Sequence, residues 1–178
     1  MTVLFFILTE TLSKMKSCST VHRCCNLVKD DPCYKCEEGW EQHGGKCYYF
    51  SISKSSWKQS RDECRAKGGD LVKIESKVNR NFMFWIGLTD SAVEDRRLWV
   101  DGSSLDQSLI FWWGNDPDNW KGHNGEHPDG EDCARMGEKG GACDLKCWFD
   151  AFCSNPHRSI CEEAGVKGSR TVTVTIKS

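Results

Sequence analysis

Short runs of apolar and β-branched residues, bounded by Gly, Asp or Pro, recur through the middle of the chain. Residues 47–52, Cys-Tyr-Tyr-Phe-Ser-Ile, predict a strand because such side chains favour a pleated surface. Short strands are predicted in the same way at 71–74, 84–88, 98–100, 134–136, 147–149 and 159–161. Many short strands with few helices predict an α+β fold.

One full helix is predicted to begin near Trp57. Ser56 and Gln59 form a capping box, in which the hydroxyl accepts from the backbone N–H three residues later while Gln59 reaches back. Trp57 and Cys64 are seven residues apart and therefore share one face of the helix. The pair Gly68-Gly69 predicts a left-handed stop at its C-terminal end.

Composition divides the chain into three parts. Residues 36–162 are dense in Trp, Gly and Cys and predict one domain, whereas 1–35 predict a flexible Cys-containing arm and 163–178 a disordered tail. Within the domain, the stretch from 102 to 130 lacks regular periodicity, and loops of that length in compact domains are usually functional.

Cysteine content and charge exclude several classes of protein. Twelve cysteines in 178 residues predict a disulfide-stabilised extracellular domain. A net charge of −2 provides no field to attract nucleic acid, so no nucleic-acid partner is predicted. The longest apolar run, residues 3–8, is shorter than the ~20 residues that span a bilayer. It also lacks the preceding basic residue and the small-residue cleavage site of a signal peptide.

A series of motifs follows one order along the chain. They are Cys36 with Trp40, the strand at 47–50, Trp57 through Cys64, segments 85–88 and 99–102, Glu131-Asp132-Cys133, Trp148 with Asp150 and Cys153, and 160–162. This series resembles the long form of the C-type lectin-like domain. Its loop pattern is most similar to the asialoglycoprotein-receptor-like galactose-type lectins and the dendritic-cell lectin receptors.

The resemblance implies a disulfide framework and one departure from the family. The implied bridges are Cys36–Cys47, Cys64–Cys161 and Cys133–Cys153. The extra Cys143 and Cys147 are close enough in sequence to bridge each other, and Cys18, Cys24, Cys25 and Cys33 could link chains into an oligomer or stay unpaired. Residues 77–84 are about half as long as the family's second helix and its exit loop, which predicts a shortened second helix or a misjudged exon boundary.

The resemblance also implies a principal calcium site in the long loop. Its ligands would be Asp116, Asp118, Glu131 and Asp150, with a cis peptide bond before Pro117 turning the flanking side chains toward one ion. Hard carboxylate oxygens are the ligands that Ca²⁺ prefers. The family usually has Asn directly before the last Asp, but this chain has Phe149, so one neutral ligand is lost.

An auxiliary calcium site is implied by a second set of positions. Asp90, Glu94, Asn119 and Asp132 match the family's loop-bracing site without a missing ligand. An ion there would stabilise the ordered loop by mass action. The alternative is that these acids are solvated surface charges.

Sugar preference is predicted from the hydrogen-bonding groups of the loop. In the family, two neighbouring sugar hydroxyls bind the ion and exchange hydrogen bonds with its protein ligands. Asp116 and Asp118 accept but cannot donate when ionised. Trp120 and His123 occupy positions where similar lectins stack a Trp on galactose. The predicted carbohydrate-binding residues, favouring galactose or N-acetylgalactosamine, are Asp116, Asp118, Trp120, His123 and Glu131.

Zinc and enzymatic functions are not supported. His123 to His127 fit an H-x-x-E-H pattern, but the surrounding Gly and Pro oppose the helix that this motif needs. Cys33 and Cys36 form a single C-x-x-C, and Cys36 is already assigned to a bridge. Trp99, Trp112 and Trp113 are predicted in the core, and only Trp120 is predicted to be exposed. No catalytic residues are predicted, so the chain is not expected to be an enzyme.

The leading hypothesis is therefore calcium-dependent glycan binding by a lectin-like receptor or secreted lectin. Weak single sites would require several copies, which makes a multivalent oligomer the expected partner arrangement. Calcium-independent binding of a protein ligand is the alternative, and Phe149 favours it. Ice binding occurs in some similar proteins, but no residue pattern indicates it.

Overall fold

The structure is a computed structural model that describes residues 34–74, 83–106, 108, 111–137 and 147–167. These residues contain ten strands and one helix. The elements are β1 (Tyr34–Lys35), β2 (Glu41–His43), β3 (Lys46–Phe50), α1 (Trp57–Ala66), β4 (Asp70–Leu71), β5 (Phe84–Thr89), β6 (Leu98–Trp99), β7 (Cys133–Met136), β8 (Trp148–Ala151), β9 (Arg158–Ala164) and β10 (Val166–Lys167).

The strands form one mixed sheet and a small separate pair. The sheet has the order β2-β3-β9-β5-β7-β8, with β4 added on β9 and β6 on β5. Its pairs are antiparallel except β5 with β9, which run parallel. The predicted α+β class is confirmed, and each predicted strand has a counterpart within a few residues. Strands β1, β2 and β10 were not predicted.

Helix α1 begins where the capping box predicts. The Ser56 hydroxyl accepts from the backbone N–H of Gln59 at 3.3 Å, and the Gln59 side chain accepts from the Ser56 N–H at 3.2 Å. At the other end, Gly68 has φ of 90°, and the Gly69 N–H donates to the Cys64 carbonyl at 3.1 Å. Local sequence alone therefore sets both ends of the helix.

The core joins the helix to the sheet through two tryptophans. The Trp57 indole N–H donates to the Ile86 carbonyl at 2.8 Å, and the Trp85 indole N–H donates to the Ser55 carbonyl at 2.9 Å. Gly87, in β5, lets this strand lie close to the backbone of Leu71, because a Cβ at Gly87 would lie 2.7 Å from the Leu71 carbonyl oxygen. The core therefore anchors the strand β5 that leads into Asp90.

All three implied disulfides are present. They are Cys36–Cys47, Cys64–Cys161 and Cys133–Cys153, with Cα–Cα distances of 5.6, 5.3 and 5.1 Å. The second joins the helix to β9 across 97 residues of sequence. The third lies beside the acidic loop, since Cys133 follows Glu131-Asp132 directly. Cys147 is buried, and its expected partner Cys143 lies outside the described residues.

Strands β1 and β10 lie outside the predicted domain boundaries at 36 and 162. Strand β9 continues to Ala164, and β10 pairs with β1 in the register Tyr34↔Lys167 and Lys35↔Val166. Gly165 separates β9 from β10, and its N–H donates to the Gly45 carbonyl at 2.9 Å, which continues the antiparallel pairing of β9 with β3 by one residue. Residues 1–33 of the predicted arm, 168–178 of the predicted tail and most of the predicted short second helix lie outside the described residues. Within the described ranges, no helix has the length and apolar character needed to cross a membrane.

Candidate calcium and carbohydrate site

Three carboxylates converge between the long loop and strand β8. One oxygen each of Asp116, Asp118 and Asp150 lie within 4.8 Å of one another. The Asp116–Pro117 peptide bond is cis, as the resemblance implies, and Asp150 is 4% exposed. The structure therefore brings together three of the four residues predicted for the principal site.

Asn119 links these carboxylates to the fourth predicted ligand. Its backbone N–H donates to Asp150 Oδ2 at 3.0 Å, while its side-chain Oδ1 accepts from the backbone N–H of Glu131 at 2.9 Å. Asn119 has φ of 47°, a left-handed conformation that Asn adopts more readily than most residues. One residue in a left-handed conformation thus sets the position of Glu131 relative to Asp150.

The charges in this group repel one another. Burial, followed by the negative charges of Asp150 and Asp118, raises the pKa of Glu131 to about 7. Burial also raises the pKa of Asp150. Glu131 lies outside the three-carboxylate group defined by the 4.8 Å spacing, although its charge is felt there. Such pKa shifts are typical of crowded carboxylates that a cation would relieve.

Asp90 is the centre of the predicted auxiliary site. Its side chain is fully buried, and neither carboxylate oxygen has a hydrogen-bond partner. Burial is the largest cause that raises the pKa of Asp90 to about 6, and the charges of Glu94 and Asp132 add to it. A buried carboxylate without hydrogen bonds is costly unless an ion neutralises it. These oxygens therefore fit Ca²⁺, which prefers carboxylate ligands.

The auxiliary set is less tightly grouped than the principal one. Within the described residues, the oxygens of Asp90, Glu94 and Asp132 do not meet the spacing that Asp116, Asp118 and Asp150 meet. The Asn119 side chain, predicted as the remaining ligand, is engaged with the Glu131 N–H. Calcium ligation by these four residues therefore stays a prediction.

Arg97 lies between the two sets, and sequence reasoning missed it. Its Nη2 is 3.2 Å from Asp90 Oδ2 and 3.9 Å from Asp150 Oδ2. The guanidinium carbon lies 5.1 Å from the centre of the Trp112 ring, and the side chain is 12% exposed. The adjacent Arg96-Arg97 pair was the available signal, but nothing local distinguishes the buried member from the exposed one.

Phe149 stands where the family usually has a ligating Asn, and its ring is buried. Its ring is 1% exposed, lies 5.7 Å from the Trp113 ring and has the Arg135 guanidinium 5.7 Å above it. The side chain at this position therefore has no oxygen that could ligate an ion. Trp113 covers this ring from outside and is 45% exposed, so its predicted core placement is wrong, whereas Trp99 and Trp112 are buried as predicted.

Trp120 belongs to an aromatic cluster beside the acids. It is 42% exposed, as predicted, and its ring lies 5.2 Å from the His123 ring and 5.7 Å from the Phe152 ring. His127 stacks on Phe152 at 3.9 Å between ring centres. Sequence reasoning missed Phe152 and His127. The cluster holds the exposed Trp120 ring in a defined orientation, which suits the apolar face of a sugar.

The residues of the H-x-x-E-H pattern, 123–127, lie in an irregular loop. Residues 121–130 form turns and irregular backbone, without the helix that would place both His side chains on one face. The Glu126 carboxylate accepts from the backbone N–H of Asn124 at 2.8 Å. The expectation that Gly and Pro prevent a helix here is confirmed.

Comparisons with known proteins identify the family. The sequence profile described as Lectin C-type domain matches residues 53–163, more than half of the chain. Hepatic lectin of Gallus gallus is 35% identical over 140 residues, covering 74% of this chain and 61% of that protein. Asialoglycoprotein receptor 2 of Homo sapiens is 34% identical over 136 residues, covering 72% of this chain and 40% of that protein. This chain thus spans less than two thirds of either relative.

Solved structures share the fold. The human scavenger receptor C-type lectin carbohydrate-recognition domain has a TM-score of 0.61 and 35% identity, covering 73% of this chain and 99% of that one. A calcium-independent type II antifreeze protein has a TM-score of 0.60 and 26% identity, covering 75% and 97%. With the framework of disulfides, the cis peptide bond and the converging acids already described, these matches show that the chain belongs to the C-type lectin domain family.

Proposed function

We propose that this chain binds glycans in a calcium-dependent manner, with a preference for galactose or N-acetylgalactosamine. The supporting observation is that Asp116, Asp118 and Asp150 each place one carboxylate oxygen within 4.8 Å of the others. The Asp116–Pro117 peptide bond between the first two is cis. Asp116, Asp118, Glu131 and Asp150 would hold the ion. Its positive charge would relieve their mutual repulsion and present coordination positions to sugar hydroxyls.

The preference for galactose rests on the exposed aromatic group beside these acids. Trp120 offers 42% of its surface, with His123 at its edge. The apolar face of a galactose-type sugar fits a flat ring of this kind. The similarity to asialoglycoprotein receptor 2 supports the same choice. Asp116 and Asp118 accept hydrogen bonds from the sugar hydroxyls that touch the ion.

The expected context is an extracellular receptor or secreted lectin. Disulfides such as Cys64–Cys161 persist in oxidising compartments. A shallow polar site binds a single sugar weakly, so several copies acting together would give useful avidity. The arm cysteines Cys18, Cys24, Cys25 and Cys33 are the proposed means of linking chains.

Asp118→Ala is the direct test of the proposed site. Loss of a charged ligand should weaken calcium-dependent retention on immobilised galactose by about 10- to 100-fold, because even supporting residues around a metal have effects of that size. The control is Asp129→Ala, an exposed acid on the same loop, which should retain binding within about twofold. Retention of the Asp118 variant equal to that of the control would place the sugar site elsewhere.

Calcium-independent binding of a protein ligand is the second candidate. It is favoured by Phe149, which removes a neutral ligand, and by the similarity to a calcium-independent antifreeze protein. A glycan panel of galactose, N-acetylgalactosamine and mannose, measured with calcium and with chelator, separates the two. Glycan retention that chelator abolishes supports the lectin function. No retention in either condition, with no calcium-induced change in Trp fluorescence, supports the alternative.

A further inference from the structure

Arg97 is a nearly buried cation placed between two sets of acids. Its side chain is 12% exposed, and its guanidinium carbon lies 5.1 Å from the centre of the Trp112 ring. The same nitrogen, Nη2, lies 3.2 Å from Asp90 and 3.9 Å from Asp150. Its charge opposes the effect of burial on the Asp90 carboxyl group. One guanidinium thus partly neutralises acids from both proposed calcium sites.

Asp90 depends on this contact more than Asp150 does. Asp150 Oδ2 also accepts a hydrogen bond from the backbone of Asn119 at 3.0 Å. Asp90 has no hydrogen bond to either oxygen, and the 3.2 Å contact with Arg97 is an ion pair rather than a well-directed hydrogen bond. A buried carboxylate held only by Coulomb attraction is open to replacement of its cation by one of higher charge.

A calcium ion at Asp90 would compete with the guanidinium. Both cations would draw on the same carboxylate, and like charges a few ångströms apart in a partly buried site repel strongly because little solvent screens them. Arg97 cannot lose its charge to relieve this repulsion, because guanidinium stays protonated in proteins. The side chain must therefore shift away from Asp90 when the ion arrives.

We propose that Arg97 acts as an internal cation that holds Asp90 and Asp150 together in the calcium-free protein and that calcium displaces it from Asp90. The inference rests on the proposed calcium-dependent function. In this role Arg97 is a positioning residue, and its charge sets the calcium concentration needed to fill the site at Asp90. The two effects of removing it have opposite signs: the calcium-free fold loses stability, while calcium binds more tightly.

Arg97→Met tests this on the complete chain. Met has a flexible apolar side chain that can fill the space beside Trp112 but carries no charge. The melting temperature in chelator should fall by about 5 °C. The calcium dissociation constant, measured by Trp fluorescence and by isothermal titration, should decrease about tenfold. Arg96→Met is the matched control, because Arg96 is exposed and its removal changes the net charge equally.

Arg97→Lys provides a conservative comparison. Lysine keeps the charge but loses the planar guanidinium, so calcium affinity should lie between those of the unmodified protein and Arg97→Met. A residue that only supports the fold would lower stability and calcium affinity together. Opposite changes in the two measurements support displacement, whereas parallel losses overturn it.

The outcomes also separate this inference from the proposed function. If the unmodified protein binds calcium and Arg97→Met behaves as Arg96→Met does, the inference fails and the function stands. If the unmodified protein ignores calcium but Arg97→Met gains a saturable response, calcium does not displace Arg97 in the natural chain, so both the displacement and the calcium dependence fail. If none of the variants responds to calcium, both fail.

Discussion

The disulfide-linked core and the two sets of acids differ in how their buried polar groups are paired. In the core, Trp57 and Trp85 donate their indole N–H groups to backbone carbonyls, and Cys64–Cys161 joins the helix to β9. Among the acids, Asp90, which directly follows β5, is equally buried but has no hydrogen bond to its carboxylate oxygens. The core is satisfied by groups of its own chain, whereas the loop gathers charge that an added cation would neutralise.

This difference suggests that stability and binding can be changed separately. The core provides rigid strands, β5 before Asp90 and β8 around Asp150, from which the acids project. The loop contributes residues held by single hydrogen bonds, such as those of Asn119. Changes in the core should therefore act mainly on unfolding, and changes in the loop mainly on calcium and sugar binding.

The largest expected effect comes from removing the long disulfide. Cys64→Ala with Cys161→Ala should lower the free energy of unfolding by about 4–5 kcal/mol, because the bridge closes a long loop in the unfolded chain. The separation is 97 residues, against 11 for Cys36–Cys47. Replacing the shorter pair should cost about 3 kcal/mol by the same reasoning. Urea unfolding of both variants measures the difference; equal losses would contradict the entropic explanation.

An intermediate effect is expected from pH acting on the loop. The pKa of Glu131 is raised to about 7 in the calcium-free protein, so below this pH a proton must leave before the carboxylate can ligate an ion. The apparent calcium dissociation constant should therefore rise as pH falls from 7 to 5, by up to about tenfold per unit. Calcium titrations at pH 7.5, 6.5 and 5.5 measure the slope.

Glu131→Gln is the control for this pH dependence. The amide cannot titrate, so calcium should bind more weakly at neutral pH but with a shallower dependence on pH. The remaining slope would come from Asp90, whose pKa is raised to about 6, and from Asp132 and Asp150, whose pKa values burial also raises. A variant with the full original slope would mean that the titrating ligand is another residue.

The smallest expected effect is on sugar binding alone. Trp120→Ala should weaken galactose binding about tenfold, or about 1.4 kcal/mol, while unfolding changes by no more than about 0.5 kcal/mol. Trp113→Ala is matched in exposure, at 45% against 42%, but its ring covers Phe149 rather than the loop surface. That control should retain galactose binding. Equal losses in the two variants would show that Trp120 acts through the fold rather than through the sugar.

The elements predicted from the sequence are those with strong local signals. The capping box at Ser56 and the stop at Gly68-Gly69 depend on neighbouring residues, so the helix ends could be predicted. Strand β2 could not, because Glu41–His43 is exposed and polar and pairs only through the turn at Gly44-Gly45. Likewise, β1 and β10 are two-residue strands that form by pairing with each other across more than 100 residues of sequence.

The candidate site was predicted through residue order and family resemblance, which placed Asp116, Asp118 and Asp150 in one site. Arg97 and Phe152 were not predicted as site residues, because their roles depend on partners distant in sequence. Arg97 contacts Asp90 and Asp150, which belong to different proposed ion sites. Phe152, which directly follows β8, packs against Trp120 with 5.7 Å between the ring centres. A single sequence carries no local signal for contacts of this kind.

The sequence by itself determined the α+β elements, the helix ends and the supply of acids, since these follow from short-range backbone preferences and side-chain chemistry. Tertiary structure alone decided which charges face one another. It buried Asp90 without a hydrogen bond, turned Phe149 under Trp113 and placed Arg97 between two carboxylates. Burial and Coulomb energies depend on distances through space, which the order of residues along the chain does not specify.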